Sequence, residues 1–217
     1  MRGFAVSILA ALGGFIVLVL EIVGARYLAK DFGGSFYVWV SQIGVVMLAL
    51  ACGYYFGGAL ADRFGRLSLL AILLVCAGIF TAAVPTFAPP VIEAIIARHP
   101  TDRAIPLLWQ KLDPAVGSLC VFLLPCLVLA MLPPFLIRWL TPQLTRLGRS
   151  SGAVIAAGTV GSIAGVFVAG YILIDVMRLS DIFRLMGGLT VLTGAWTAGL
   201  DRWFAEGTAA SNAPTPV

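Results

Sequence analysis

The feature that most constrains this chain is a succession of apolar stretches, each about as long as a helix needs to cross a bilayer. A hydrocarbon core takes roughly 20 apolar residues per helical crossing. The first such stretch runs from Phe4 to Leu20 and continues past Glu21 toward Ala29. A cleaved secretory signal has an apolar core of only about 7 to 15 residues and a small-residue cleavage site, so this run is expected to be a retained first helix.

Composition agrees. Of 217 residues, 60% are hydrophobic and 11% charged, with a mean hydropathy of +1.02, which excludes water as the main solvent. The expected fold is all-α, a polytopic transmembrane bundle of about six helices over residues 1–204. The helices are placed at about 4–29, 36–60, 67–84, 115–137, 151–174 and 182–200. Residues 205–217, made largely of Ala, Ser, Thr and Pro, read as a disordered tail.

The boundaries follow the breakers. Lys30 to Ser35 turn the chain, and Tyr37 and Trp39 sit where amphipathic rings favour the membrane interface. Ala61 to Arg66 form a tight charged turn. Pro85 and the Pro89-Pro90 pair end the third helix, and the mixed polarity of 91–114 reads as one long loop, with a short interfacial helix over Val91 to Ala97. Pro125 predicts a kink inside the fourth helix. Arg138 to Arg149, with Trp139, Leu140, Leu144 and Leu147, read as a basic amphipathic segment along a membrane surface.

The net charge of +4 does not point to nucleic acid, because the basic residues are scattered singly and form no stripe. They read as topogenic charges. The short segments holding Arg63 and Arg66, and Arg138, Arg146 and Arg149, place both termini on the cytoplasmic side, in a membrane expected to be the bacterial inner one. Cys52, Cys76, Cys120 and Cys126 lie in apolar runs with no C-x-x-C pair, and read as buried thiols. With His99 the only histidine, no metal site, catalytic set or cofactor is expected.

Three local features carry candidate roles. Glu21 lies well inside the first helix, where a lone carboxylate costs about 2.5 to 3.5 kcal/mol on insertion scales. It is either a proton or cation site or a packing contact to another helix or subunit; Arg26, five positions on, lies on a different face. Gly53 and Gly57, and Gly161 and Gly165, are small-residue pairs that let helices approach closely, within the chain or between subunits. Ser41, Gln42, Thr159, Ser162, Thr190 and Thr193 either line a solute path or satisfy their own backbone.

The third is Gly57-Gly58-Ala59-Leu60-Ala61-Asp62-Arg63-Phe64-Gly65-Arg66. Asp62 is placed to cap or face a helix N-terminus, and the arginines to meet phosphate or carboxylate. The stretch resembles the loop signature between helices 2 and 3 of the major facilitator superfamily. The resemblance implies a charge contact through Asp62, Arg63 and Arg66 that holds one conformation; a topogenic turn is the simpler alternative.

A second resemblance covers most of residues 15 to 180. Glu21-Ile22-Val23-Gly24-Ala25-Arg26-Tyr27-Leu28-Ala29, Phe32-Gly33-Gly34-Ser35-Phe36-Tyr37-Val38-Trp39 and Gly53-Tyr54-Tyr55-Phe56-Gly57-Gly58 carry it first. Leu124-Pro125, Pro134-Phe135-Leu136-Ile137-Arg138 and Gly158-Thr159-Val160-Gly161-Ser162-Ile163-Ala164-Gly165 extend it. Together they look like the membrane domain of fused spermidine synthase-like proteins. That family adds a soluble aminopropyltransferase-like domain; here no strand-associated glycine-rich nucleotide loop is present, so the catalytic inference does not transfer.

The resemblance implies half of a facilitator-type transporter. The expected function is a non-catalytic membrane subunit or anchor, working in a larger assembly or with a soluble partner enzyme. The rival expectation is a homodimeric carrier of a small solute such as a polyamine.

Overall fold

The computed structural model describes residues 2–34, 36–99, 105–140 and 147–211. Among them the chain is helical, with short connections and no strand. The order is α1 (Arg2–Phe32), α2 (Phe36–Phe64), α3 (Leu67–Ile96), α4 (Leu107–Ala130), α5 (Leu132–Leu140), α6 (Leu147–Val168), α7 (Ile174–Val176) and α8 (Leu179–Ser211). One wide π-helical turn, Ala169–Leu173, joins α6 to α7.

The fold is an all-α bundle. Among the described residues, five helical spans are long and apolar enough to cross a membrane: Gly3–Phe32, Phe36–Phe64, Leu67–Ile96, Leu107–Leu140 and Gly148–Val176. The expected sixth crossing, 182–200, lies within α8, which is not among the five. Arg184, four glycines and three threonines between 182 and 200 dilute its apolarity. Its Thr190, Thr193 and Thr197 hydroxyls each donate to the carbonyl four residues earlier, so they are satisfied by α8 itself.

Three pairings organise the bundle: α3 with α8, α1 with α6, and α2 with α4. The buried core they share includes Leu9, Ile16, Leu20, Leu28, Leu74, Phe122, Phe135 and Phe183. Tyr27 and Phe122 both lie against Phe183, joining α1, α4 and α8 through one aromatic cluster.

The structure corrects several boundaries. The third helix does not stop near Val84; α3 passes through Pro85, Pro89 and Pro90 to Ile96. Ala88, Ile92 and Ile95 stay buried along this extension, so the apolar face continues through the prolines. Packing holds the helix where local propensity would end it. The fourth helix begins at Leu107, which confines the connection to 97–106; residues 100–104 lie outside the described set.

The helix runs through Pro125 and breaks at Met131, ahead of Pro133 and Pro134. Two adjacent prolines remove two successive N–H donors and disfavour the α conformation at the preceding residue. The basic segment at 138–149 divides into the end of α5 and the start of α6, with 141–146 outside the described residues. The tail placed at 205–217 meets α8, which continues to Ser211; 212–217 lie outside the described residues. Cys76 and Cys120 are exposed on the outer surface of the bundle, against the expectation of burial, and Cys126 is buried.

Candidate functional site

At one end of the bundle, α2 turns into α3 through Gly65, whose φ of +60° is a left-handed conformation that glycine adopts without a Cβ clash. The turn aims Asp62 at α5, where Arg138 Nε lies 3.3 Å from its Oδ1. Both side chains are more than half exposed, so the pair is worth at most about 1 kcal/mol. Arg63 lies over the Phe64 ring at 5.6 Å, and Arg66 occupies the N-cap position of α3 without a side-chain cap bond.

Asp62 does not cap α3. That role falls to Asp201 of α8, whose Oδ2 accepts the Ser68 N–H at 3.0 Å and the Ser68 hydroxyl at 2.7 Å. A carboxylate at a helix start satisfies an orphan donor and matches the positive end of the dipole. Ala61, Gly65, Leu67, Phe135, Arg138 and Trp139 enclose a hollow of about 250 Å³ beside this hinge.

Both glycine pairs lie at helix contacts within the chain. A Cβ at Gly57 would stand 2.8 Å from Met131 Cα, and one at Gly53 2.5 Å from Ala130 Cβ, so α2 rests directly on the end of α4. A Cβ at Gly165 would stand 2.6 Å from the Phe15 carbonyl oxygen, and Gly161 meets the backbone of Ala11 even more closely. These contacts fix α6 on α1.

A polar cluster lies inside the bundle. Gln42 of α2 and Ser118 of α4 are fully buried, and the Ser118 hydroxyl donates to Gln42 Oε1 at 2.6 Å. Gln42 Nε2 is buried with no hydrogen-bond partner and lies against Gly24 of α1, where a Cβ would come within 2.5 Å of it. Glu21, one turn before Gly24, is half-buried. It makes no ion pair among the described residues, while Arg26 is exposed and Lys30 lies over the Tyr27 ring at 5.9 Å.

A cleft of about 410 Å³ lies between α1, α2, α4, α5 and α6. Gly13, Gly14, Val17, Leu50, Tyr54 and Ile137 are among its walls, together with Val154, Ile155, Gly158, Thr159 and Ser162 of α6. Small residues on α1 and α6 leave the space open, and its volume falls in the range of about 300 to 1,000 Å³ common for ligand pockets. Thr159 donates to the Ile155 carbonyl at 3.0 Å, so its hydroxyl is satisfied by its own helix. Pro133 and Pro134 line the cleft and lack N–H groups, so the carbonyls of Leu129 and Ala130, also in its wall, lose their usual helical donors.

At the opposite end of the bundle stands a cluster that sequence reasoning missed. Asp113 is buried in α4 and receives Arg98 Nη2 at 3.0 Å and His99 Nε2 at 2.7 Å. The Arg98 guanidinium also lies over the Trp109 ring at 5.4 Å. All four residues fall in the stretch expected as a loop. The signal available was the adjacent Arg98 and His99, 15 and 14 residues before a carboxylate; only the helical frame on both sides brings them together. Nearby, Lys111 lies over Tyr37, and the Ser41 hydroxyl donates to the Lys111 carbonyl at 3.4 Å.

No protein-family model matches the chain, and no curated protein or solved structure shows significant similarity to it. Among the described residues, no group of three or more His, Cys, Asp or Glu side chains could hold a metal ion.

Proposed function

We propose that this chain is a non-catalytic integral membrane subunit or anchor that works within a larger membrane assembly or with a soluble partner enzyme. The observation that carries the reading is the uneven coverage of its helices. In the most apolar windows of α2 and α6, 28% and 22% of residues are buried, against 44% to 61% in the other three spans. Their outer faces hold large apolar and aromatic side chains, among them Met47, Tyr55 and Phe56 on α2 and Ile163, Phe167 and Tyr171 beyond it on α6 and the π turn.

Such faces suit a neighbouring helix as well as lipid, since van der Waals packing drives association between membrane helices. The resemblance to the membrane region of spermidine synthase-like proteins, and to half of a facilitator transporter, favours a partner of that kind. We further propose six crossings with both termini cytoplasmic in a bacterial inner membrane. Purification from native membranes in mild detergent should recover a stoichiometric partner. A lone monomer would count against the reading.

One observation favours a homodimeric carrier as the second reading. Glu21 and the unpartnered amide of Gln42 bring a carboxylate and a hydrogen-bond donor to the interior of an apolar bundle, and polar groups at that depth mark solute or proton paths. Uptake of polyamines into proteoliposomes, with Glu21→Gln as the comparison, tests it. Uptake no greater than into empty liposomes removes it.

A further inference from the structure

We propose that the groove between α3 and α8 binds one acyl chain of a phospholipid whose headgroup carries a primary ammonium, with that ammonium held by Asp201. The proposal rests on α3 lying in a bilayer and not on the chain having a protein partner.

The groove has a volume of about 500 Å³. Ala71, Ile72 and Val75 of α3 form one wall, and Ala195 and Ala198 of α8 form the other. A Cβ at Gly194 would stand 2.9 Å from the Ala71 carbonyl oxygen, so the two helices touch there and close the floor. Ile72 is 62% exposed and Ala195 is exposed, so the groove opens outward from a helix apolar enough to cross a membrane. A crevice that opens into hydrocarbon is filled by hydrocarbon, because an empty one forfeits dispersion contacts along its lining. From Ser68 to Cys76 the α3 wall rises about 12 Å at 1.5 Å per residue, which suits an extended chain better than a compact solute.

The charge in the wall then selects the headgroup. Asp201 and Ser68 both line the groove at the end where the apolar span of α3 starts, which is the level of lipid headgroups. Asp201 Oδ2 accepts both bonds from Ser68, whereas Oδ1 takes no hydrogen bond and the carboxylate no ion pair among the described residues. Ser68 is neutral, so the negative charge stays uncompensated and half of the acceptor capacity stays open. A primary ammonium brings the opposite charge together with N–H donors, while a quaternary ammonium brings the charge alone. A carboxylate at the headgroup end of an apolar groove therefore complements an amine joined to an acyl chain.

The test is native mass spectrometry of the purified full chain with added dioleoyl phosphatidylethanolamine, dioleoyl phosphatidylcholine or ethanolamine alone. Phosphatidylethanolamine should be retained about five-fold better than phosphatidylcholine, the upper weight of an accessible ion pair, and ethanolamine alone should not be retained. Asp201→Asn keeps an acceptor for the Ser68 N–H and removes the charge, so it should bring the two lipids to the same level. Ala195→Trp, at an exposed position in the wall, should abolish retention of phosphatidylethanolamine. Ile72→Trp replaces it if that variant does not fold. Equal retention of the two lipids by the unaltered chain overturns the proposal. So does an unchanged preference in Asp201→Asn, undiminished retention in the tryptophan variant, or binding of free ethanolamine. A dimer that carries no lipid because a second copy fills the groove overturns it as well.

Discussion

Asp201 of α8 accepts both the backbone N–H and the hydroxyl of Ser68 in the first turn of α3, across 133 residues of chain. The contact closes the most extensive helix pair in the bundle at the end where α3 begins. Asp201→Ala should therefore destabilise the protein by about 1 kcal/mol, the usual cost of removing a helix cap. Thermal unfolding in detergent reads it, and an unchanged melting temperature would show that the cap carries no weight. Asp62→Ala, whose partner is a half-exposed arginine, should cost less.

The Arg98–Asp113–His99 cluster ties the end of α3 to the start of α4. Replacing the buried acceptor by Asp113→Ala should cost about 1 to 3 kcal/mol, because His99 keeps a nearly buried ring nitrogen with nothing to bond. His99→Gln, which retains a donor, should lose less than His99→Ala. If the two histidine variants unfold together with the unaltered chain, the bond to Asp113 is not contributing.

Glycine substitutions should separate contact positions from open ones. Gly161→Ala and Gly165→Ala drive a methyl group into the α1 backbone and should each cost about 1 to 3 kcal/mol. Gly44→Ala and Gly152→Ala meet nothing within 4 Å and should be neutral or stabilising by up to about 1 kcal/mol. Equal melting temperatures across the four variants would mean that α6 does not rest on α1 as described.

Gln42 and Ser118 lend themselves to a double-mutant cycle. Ser118→Ala leaves both polar ends of a buried amide unsatisfied and should cost about 1 to 3 kcal/mol. Gln42→Leu combined with Ser118→Ala should recover much of that loss, since both partners are then gone. A neutral Ser118→Ala would indicate that Gln42 takes its hydrogen bonds from elsewhere.

Much of the architecture was legible in the order of residues because apolar length and glycine spacing are local properties. The stretch from Phe4 toward Ala29 reads as a helix without any knowledge of its neighbours, and it lies within α1. Proline was the local signal that misled. Pro85, Pro89 and Pro90 weaken a helix taken alone, but α3 has a buried face to maintain through Ile92 and Ile95. Pro133 and Pro134, two donors lost in succession, do end a helix, at Met131.

The sequence by itself determined the solvent, the helices and the close-contact glycines, since each depends on residues within a turn or a span of one another. Only the tertiary structure decided which charges meet. Asp62 was placed in sequence beside the start of α3, yet that start is capped by Asp201 from the far end of the chain, while Asp62 turns to Arg138. The cleft belongs to the same class, because its walls come from five helices. Pairing between distant segments is set by how apolar faces fit together, and a one-dimensional pattern holds no record of that fit.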